Sequence, residues 1–190
     1  DDCPQASIDL APFSALDVDT AKMLIREVDR FSRESIWAES FVPADREPLQ
    51  LDPETGDVTV PEPLHEALQA FYDAGWHTIA LPPHLGGASA PPTIRWATTE
   101  LFAGGHATAS LWPIGALMGW IIDRLGTEGQ RKRFARNMVE KRWGGTMVLT
   151  EPDAGSDVGA GVTKAVKVEE NGPEDLGSVW HLEGVKRFIT

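Results

Sequence analysis

The hydrophobic period of this chain changes near residue 145, and that change limits the possible folds more than any other feature. Before Trp143-Gly144-Gly145, apolar residues recur at helical spacing; after it they fall into short β-type runs separated by Gly, Pro and Asn. Val18, Ala21, Leu24, Ile25, Val28 and Phe31 predict an amphipathic helix between Asp17 and Glu39, capped by Asp19 or Thr20. From Val42 to Pro63, five prolines (Pro43, Pro48, Pro53, Pro61 and Pro63) block helix. There the turn residues Asp52-Pro53-Glu54-Thr55-Gly56-Asp57 predict a small hairpin or an ordered loop. Pro63 opens a second helix bearing Leu64, Leu68 and Phe71 and ending at Gly75, and Ala90-Pro91-Pro92 opens a third that runs through Ile94, Trp96 and Leu101 to Gly104.

From Ser110 to Leu125 nearly every face is apolar, which predicts a helix buried among others and too short to span a bilayer. Gly126 stops it, and Thr127 with Gln130 forms a capping box for a helix reaching about Val139. The β-type runs are Thr146 to Thr150, Thr163 to Val168, Val179 to Leu182 and Val185 to Ile189. The expected organisation is a mainly α N-terminal domain over residues 1–145 and the start of a β domain over 146–190. The last run still reads as strand at Thr190, and so few strands leave open edges, so the chain is expected to be a fragment.

Composition removes several function classes. The 190 residues are 42% hydrophobic and 24% charged, which excludes a disordered chain. A formal charge of -12 repels a phosphate backbone, so nucleic acid is not an expected partner. The single cysteine, Cys3, closes no internal disulfide, and the opening residues carry no leader pattern, so a cytoplasmic protein with no membrane span is expected. The five histidines, His65, His77, His84, His106 and His181, show no metal-ligand spacing, and no metal is expected. The basic run from Gln130 to Arg136 reads as a solvated helix face with Phe134 turned inward. Trp112, Met118 and Trp120 could border a ligand channel, but at helical spacing they read as core.

The densest chemical signal is Met147-Val148-Leu149-Thr150-Glu151-Pro152-Asp153-Ala154-Gly155-Ser156-Asp157, a strand running into a loop of small and acidic residues. Thr150 offers a hydroxyl at the strand end, Pro152 stiffens the exit, Gly155 permits a conformation whose successive amides face one way, and Ser156 adds a donor. Such donors suit a phosphate or a polarised ring edge, while the residue types alone equally describe a capped turn.

Leu149-Thr150-Glu151-Pro152-x-Ala154-Gly155-Ser156-Asp157, followed by Gly184-x-Lys186-x-Phe188-Ile189-Thr190, resembles the acyl-CoA dehydrogenase family, particularly its longer bacterial fatty-acyl-CoA branch. Leu125-Gly126-Thr127-Glu128-x-Gln130, and Gly75-Trp76 before Leu85-Gly86-Gly87, carry the same resemblance. It implies a helical domain followed by a β-barrel-like middle domain, with a C-terminal helical domain absent from this chain. It also implies FAD-dependent α,β-dehydrogenation of an acyl-CoA thioester to the trans-2-enoyl-CoA. On the family pattern Met147, Leu149 and Thr150 line the flavin, and Gly155 and Ser156 approach it, Ser156 touching the acyl-CoA as well. Phe188, Ile189 and Thr190 form the second wall, Phe188 standing where many members have Trp. The resemblance places the catalytic Glu in the C-terminal domain, so this chain alone is expected to be inactive. Glu151 is not that base, and Asp153 falls at a variable position of the motif. An electron-transfer flavoprotein or similar acceptor and a homo-oligomer are the implied partners. An acyl-CoA oxidase of the same fold, or a non-catalytic helical interaction subunit, are the alternatives.

Overall fold

Asp17 starts the first helix because its carboxylate accepts the Thr20 amide at 2.8 Å and the Thr20 hydroxyl at 2.9 Å, satisfying an amide that the helix leaves open. The computed structural model describes residues 16–170, 172 and 176–188, in two compact units, one ending at Pro113 and the other beginning at Ile114.

In the first unit α1 spans Val18–Glu34, α2 Ile36–Glu39, α3 Phe41–Arg46, α4 Glu62–Asp73 and α5 Pro92–Gly105. The single helix expected over 17–39 is thus two. Ser35 ends α1 by donating to the Phe31 carbonyl at 2.6 Å and caps α2 by accepting from the Trp37 amide at 3.1 Å. The proline block does not exclude α3, since Pro43 lies in its first turn, where a missing amide costs nothing. The short strands β1 (Gln50–Leu51) and β2 (Val58–Thr59) form the expected hairpin, antiparallel with Gln50 opposite Thr59, and Gly56 supplies the positive φ of its turn.

The core of this unit is aromatic. Trp37 is fully buried, stacks on Phe71 at 5.0 Å and donates its indole N–H to the Phe102 carbonyl at 2.9 Å. Phe71 meets Phe102 edge-on at 4.9 Å. His106 is also fully buried, 5.5 Å from the Trp37 ring and 5.3 Å from Phe41, and its Nδ1 accepts the Ala109 amide. Desolvation lowers its pKa from the usual 6.5, so it is packed as a neutral ring.

In the second unit α6 spans Ile114–Leu125, later than the expected start because Pro113 and a short turn at Ala109–Leu111 precede it. It is not buried on all sides. Its buried residues are the small ones, Gly115, Ala116 and Gly119, while Ile121 is 45% and Leu125 83% exposed. Close approach explains this: a Cβ on Gly119 would lie 3.0 Å from the Ala135 carbonyl. The core reading of Trp112 also fails, at 44% exposure, whereas Met118 and Trp120 are half-buried.

The capping box forms as expected, Thr127 and Gln130 exchanging bonds of 2.9 and 3.2 Å at the start of α7 (Glu128–Gln130). The following turn, Arg131–Ala135, is a π-helix, and α8 spans Arg136–Glu140. Arg131, Lys132, Arg133 and Arg136 face solvent, and Phe134 is half-buried beside Ile121, Ile122 and Leu125 in a cavity of about 300 Å³.

Beyond α8 two of the four β-type runs become strands, β3 (Lys164–Glu169) and β4 (Val179–Glu183), paired antiparallel with a bulge between Lys167 and Glu169. Among the described residues the runs at 146–150 and 185–188 form no ladder, and one backbone bond, the Arg187 amide to the Thr150 carbonyl at 2.8 Å, links them.

Candidate functional site

The 147–157 motif folds as an extended arm ending in a tight turn. Glu151 and Ala154 close the turn with reciprocal backbone bonds of 3.0 and 3.2 Å, which lifts Pro152 and Asp153 into solvent and buries Ala154. Glu151 is buried too, at 4% exposure. Its carboxylate accepts the Lys186 ammonium at 2.7 Å, the Val162 amide at 2.6 Å and the Thr163 amide at 3.2 Å. Three separate stretches of chain therefore meet on one side chain.

The Lys186 bond, then the Val162 amide and Thr163, outweigh burial and lower the Glu151 pKa from 4.5 to about 2. Lys186 also donates to the Leu149 carbonyl at 2.9 Å. Two glycines make this convergence possible: a Cβ on Gly184 would overlap the Thr163 side chain, and one on Gly161 would lie 3.1 Å from a Glu151 oxygen.

Around the buried Glu151 and its solvent-facing partner Lys186, the residues singled out from the sequence are open to solvent. Met147 is 54%, Leu149 51% and Phe188 77% exposed, and Thr150 is half-buried. The Arg187–Thr150 bond brings the 147–150 arm and the 186–188 arm side by side, so Met147, Leu149, Thr150 and Phe188 belong to adjacent segments. Phe188 holds a left-handed φ of 57°, an unfavourable conformation for a bulky residue. Gly155 and Ser156 lie past the turn, both exposed. Gly155 does not use the positive φ that glycine allows; what it provides is open space, with nothing within 4 Å of where a Cβ would stand. Among the described residues neither the Thr150 hydroxyl nor the Ser156 hydroxyl has a protein hydrogen-bond partner. The assignments to Ile189 and Thr190 lie outside the described residues.

The arrangement offers exposed apolar side chains next to uncommitted hydroxyls on a backbone pinned from behind. That suits a flat, partly polar ring system, which needs apolar cover for its faces and donors for its edge. The sequence named Glu151 and Lys186 only as members of the two motifs, without the pairing between them. Glu151 is a charged residue at the end of a β-type run, which is the one local sign that it faces inward. No group of three or more His, Cys, Asp or Glu side chains that could hold a metal occurs among the described residues, and none of their helices is long and apolar enough to cross a membrane.

The family model for the acyl-CoA dehydrogenase N-terminal domain matches residues 19–142, and the chain belongs to the acyl-CoA dehydrogenase family, a family that is generally FAD-dependent. Its helical part is the N-terminal domain of that fold. The chain is 44% identical over 178 residues to the broad-specificity linear acyl-CoA dehydrogenase FadE5 of Mycobacterium tuberculosis, covering 94% of this chain and 28% of that protein. It is 33% identical over 184 residues to the 3-methylmercaptopropionyl-CoA dehydrogenase of Ruegeria pomeroyi, 95% of this chain and 29% of the relative. Over 127 residues, 66% of this chain and 31% of the relative, it is 32% identical to the caffeyl-CoA reductase-Etf complex subunit CarC of Acetobacterium woodii. The chain thus spans about three-tenths of the length of these relatives.

Proposed function

We propose that the protein carrying this chain is an FAD-dependent acyl-CoA dehydrogenase, removing two hydrogens across the α and β carbons of an acyl thioester to give the trans-2-enoyl-CoA. The observation that carries this reading is the motif arm itself: Met147, Leu149 and Thr150 are exposed or half-exposed, with a free hydroxyl, beside the arm that bears Phe188. Bound there, FAD would supply the acceptor for the hydride leaving the β carbon. Met147, Leu149 and Phe188 would cover its ring system, and the Thr150 hydroxyl would donate to it, a fixed donor that would stabilise the negative charge of reduction. Gly155 would allow the backbone to approach a ligand closely, and the exposed Ser156 would offer its hydroxyl to the cofactor and the acyl-CoA.

Glu151 does not take the α proton. A carboxylate with a pKa of about 2, buried and already accepting from Lys186, Val162 and Thr163, has neither the basicity nor the access that a general base needs. Electrons then pass to an electron-transfer flavoprotein or a similar acceptor, a reading supported by the similarity to a subunit named for its Etf complex.

The purified full-length protein should be yellow and should bleach on anaerobic addition of an acyl-CoA. Protein that remains colourless with added FAD would sink the proposal, and peroxide release with each turnover would convert it to an oxidase.

A further inference from the structure

We infer that Lys186 and Glu151 are positioning residues that set the direction of the Thr150 hydroxyl by bracketing Thr150 on both sides. The inference rests on the reading of this site as a flavin site. One ammonium donates to the carbonyl of Leu149, the residue before Thr150, and to the carboxylate of Glu151, the residue after it. The carbonyl of Thr150 itself accepts the amide of Arg187, the neighbour of Lys186. Three consecutive residues of one arm are therefore tied to two consecutive residues of the other.

With the peptide groups on both sides of Thr150 anchored, its Cα–Cβ direction is set by the backbone, and only χ1 remains to aim the hydroxyl. The other two ligands of the Glu151 carboxylate, the Val162 and Thr163 amides, fix its far side to the start of β3, so the bracket is braced against a paired strand. Placement carries the argument, because strength would not: Glu151 is buried but Lys186 is open to solvent, and an ion pair with an exposed partner contributes little stability by itself. A pair placed only for stability has no reason to reach the backbone carbonyl on the other side of the ligand-facing residue.

The test uses the full-length protein with Lys186→Met, which keeps the length and removes the charge, and Lys186→Arg, which can still bridge a carboxylate and a carbonyl. Three quantities are read: the Kd of the apo-protein for FAD by flavin fluorescence, the midpoint potential of the bound flavin, and amide exchange of Val162, Thr163 and Arg187 in the apo-protein. Lys186→Met should weaken FAD by at least about tenfold, the fold-change that corresponds to losing one charge-assisted hydrogen bond behind the site. It should also move the flavin potential and speed exchange at all three amides, with Lys186→Arg restoring most of each.

A Lys186→Met protein that melts earlier yet keeps the wild-type Kd and potential overturns the positioning role and leaves a structural pair. If the wild type takes no FAD, the flavin reading fails. The apo exchange then decides the bracket separately, unchanged exchange at Arg187 and Thr163 overturning it.

Discussion

The two units solve the problem of stability in opposite ways. The first closes an aromatic core in which Trp37 and His106 are wholly buried and Phe71 and Phe102 pack within 5.0 Å of their partners. The second buries small residues and the carboxylate of Glu151 while leaving Met147, Leu149, Phe188 and Leu125 in solvent. Charge is divided the same way: the first unit's stretch of sequence accounts for the whole net charge of -12, and in the second acidic and basic residues balance. An anionic ligand would therefore meet less repulsion from the charges of the second unit's stretch than from those of the first. With its apolar side chains in solvent rather than in a core, the motif segment has its backbone fixed by hydrogen bonds and the Glu151–Lys186 ion pair instead.

The sharpest way to break this contrast is Trp37→Ala. Removing a fully buried indole that stacks on Phe71 and bonds the Phe102 carbonyl should cost about 3–5 kcal/mol, read by urea denaturation with near-ultraviolet dichroism reporting the aromatic cluster. A loss below about 1 kcal/mol, the scale of an ordinary surface change, would mean that the aromatic core does not hold the first unit.

Acid should separate the units next. His106 is packed neutral with a pKa below 6.5, so the unfolded chain binds its proton more readily than the folded one. Its contribution is complete above pH 6.5 and falls away as the pH drops through the lowered value. Glu151 has a folded pKa of about 2 against 4.5, so its contribution is complete above pH 4.5 and is lost as the pH falls from 4.5 toward 2. Amide exchange followed against pH should show the end of α5 loosening in the higher window, and Val162 and Thr163 in the lower. A single shared transition would erase the distinction.

The smallest expected effect concerns chemistry rather than folding. Thr150→Val keeps the β-branched shape and removes a hydroxyl that no group among the described residues uses, so the melting temperature should hold. Flavin reduction by acyl-CoA in the full-length enzyme should slow by at least about tenfold, equivalent to about 1.4 kcal/mol. An unchanged rate with a lowered melting temperature would make Thr150 a structural residue and weaken the contrast from the other side.

What the sequence determined by itself is local. The hairpin turn at Asp52–Asp57, the left-handed Gly75 and the Thr127–Gln130 box were legible because each is settled by residues a few positions apart. The motif was legible for its donors, since Thr150 and Ser156 carry their hydroxyls wherever they sit, but the strand expected over 146–150 does not form. The division of one long helix at Ser35 and the tolerance of Pro43 were also written locally, but the helical period of the apolar residues and the proline count masked them. Only the tertiary structure decided that Glu151 pairs with Lys186, that the runs at 146–150 and 185–188 share one backbone bond rather than a ladder, that α6 packs through glycine and alanine, and that His106 is the buried histidine of five. Each depends on chain segments brought together across long separations, where residue type fixes what a side chain can bond but its surroundings fix which partner it meets and whether water is there to compete.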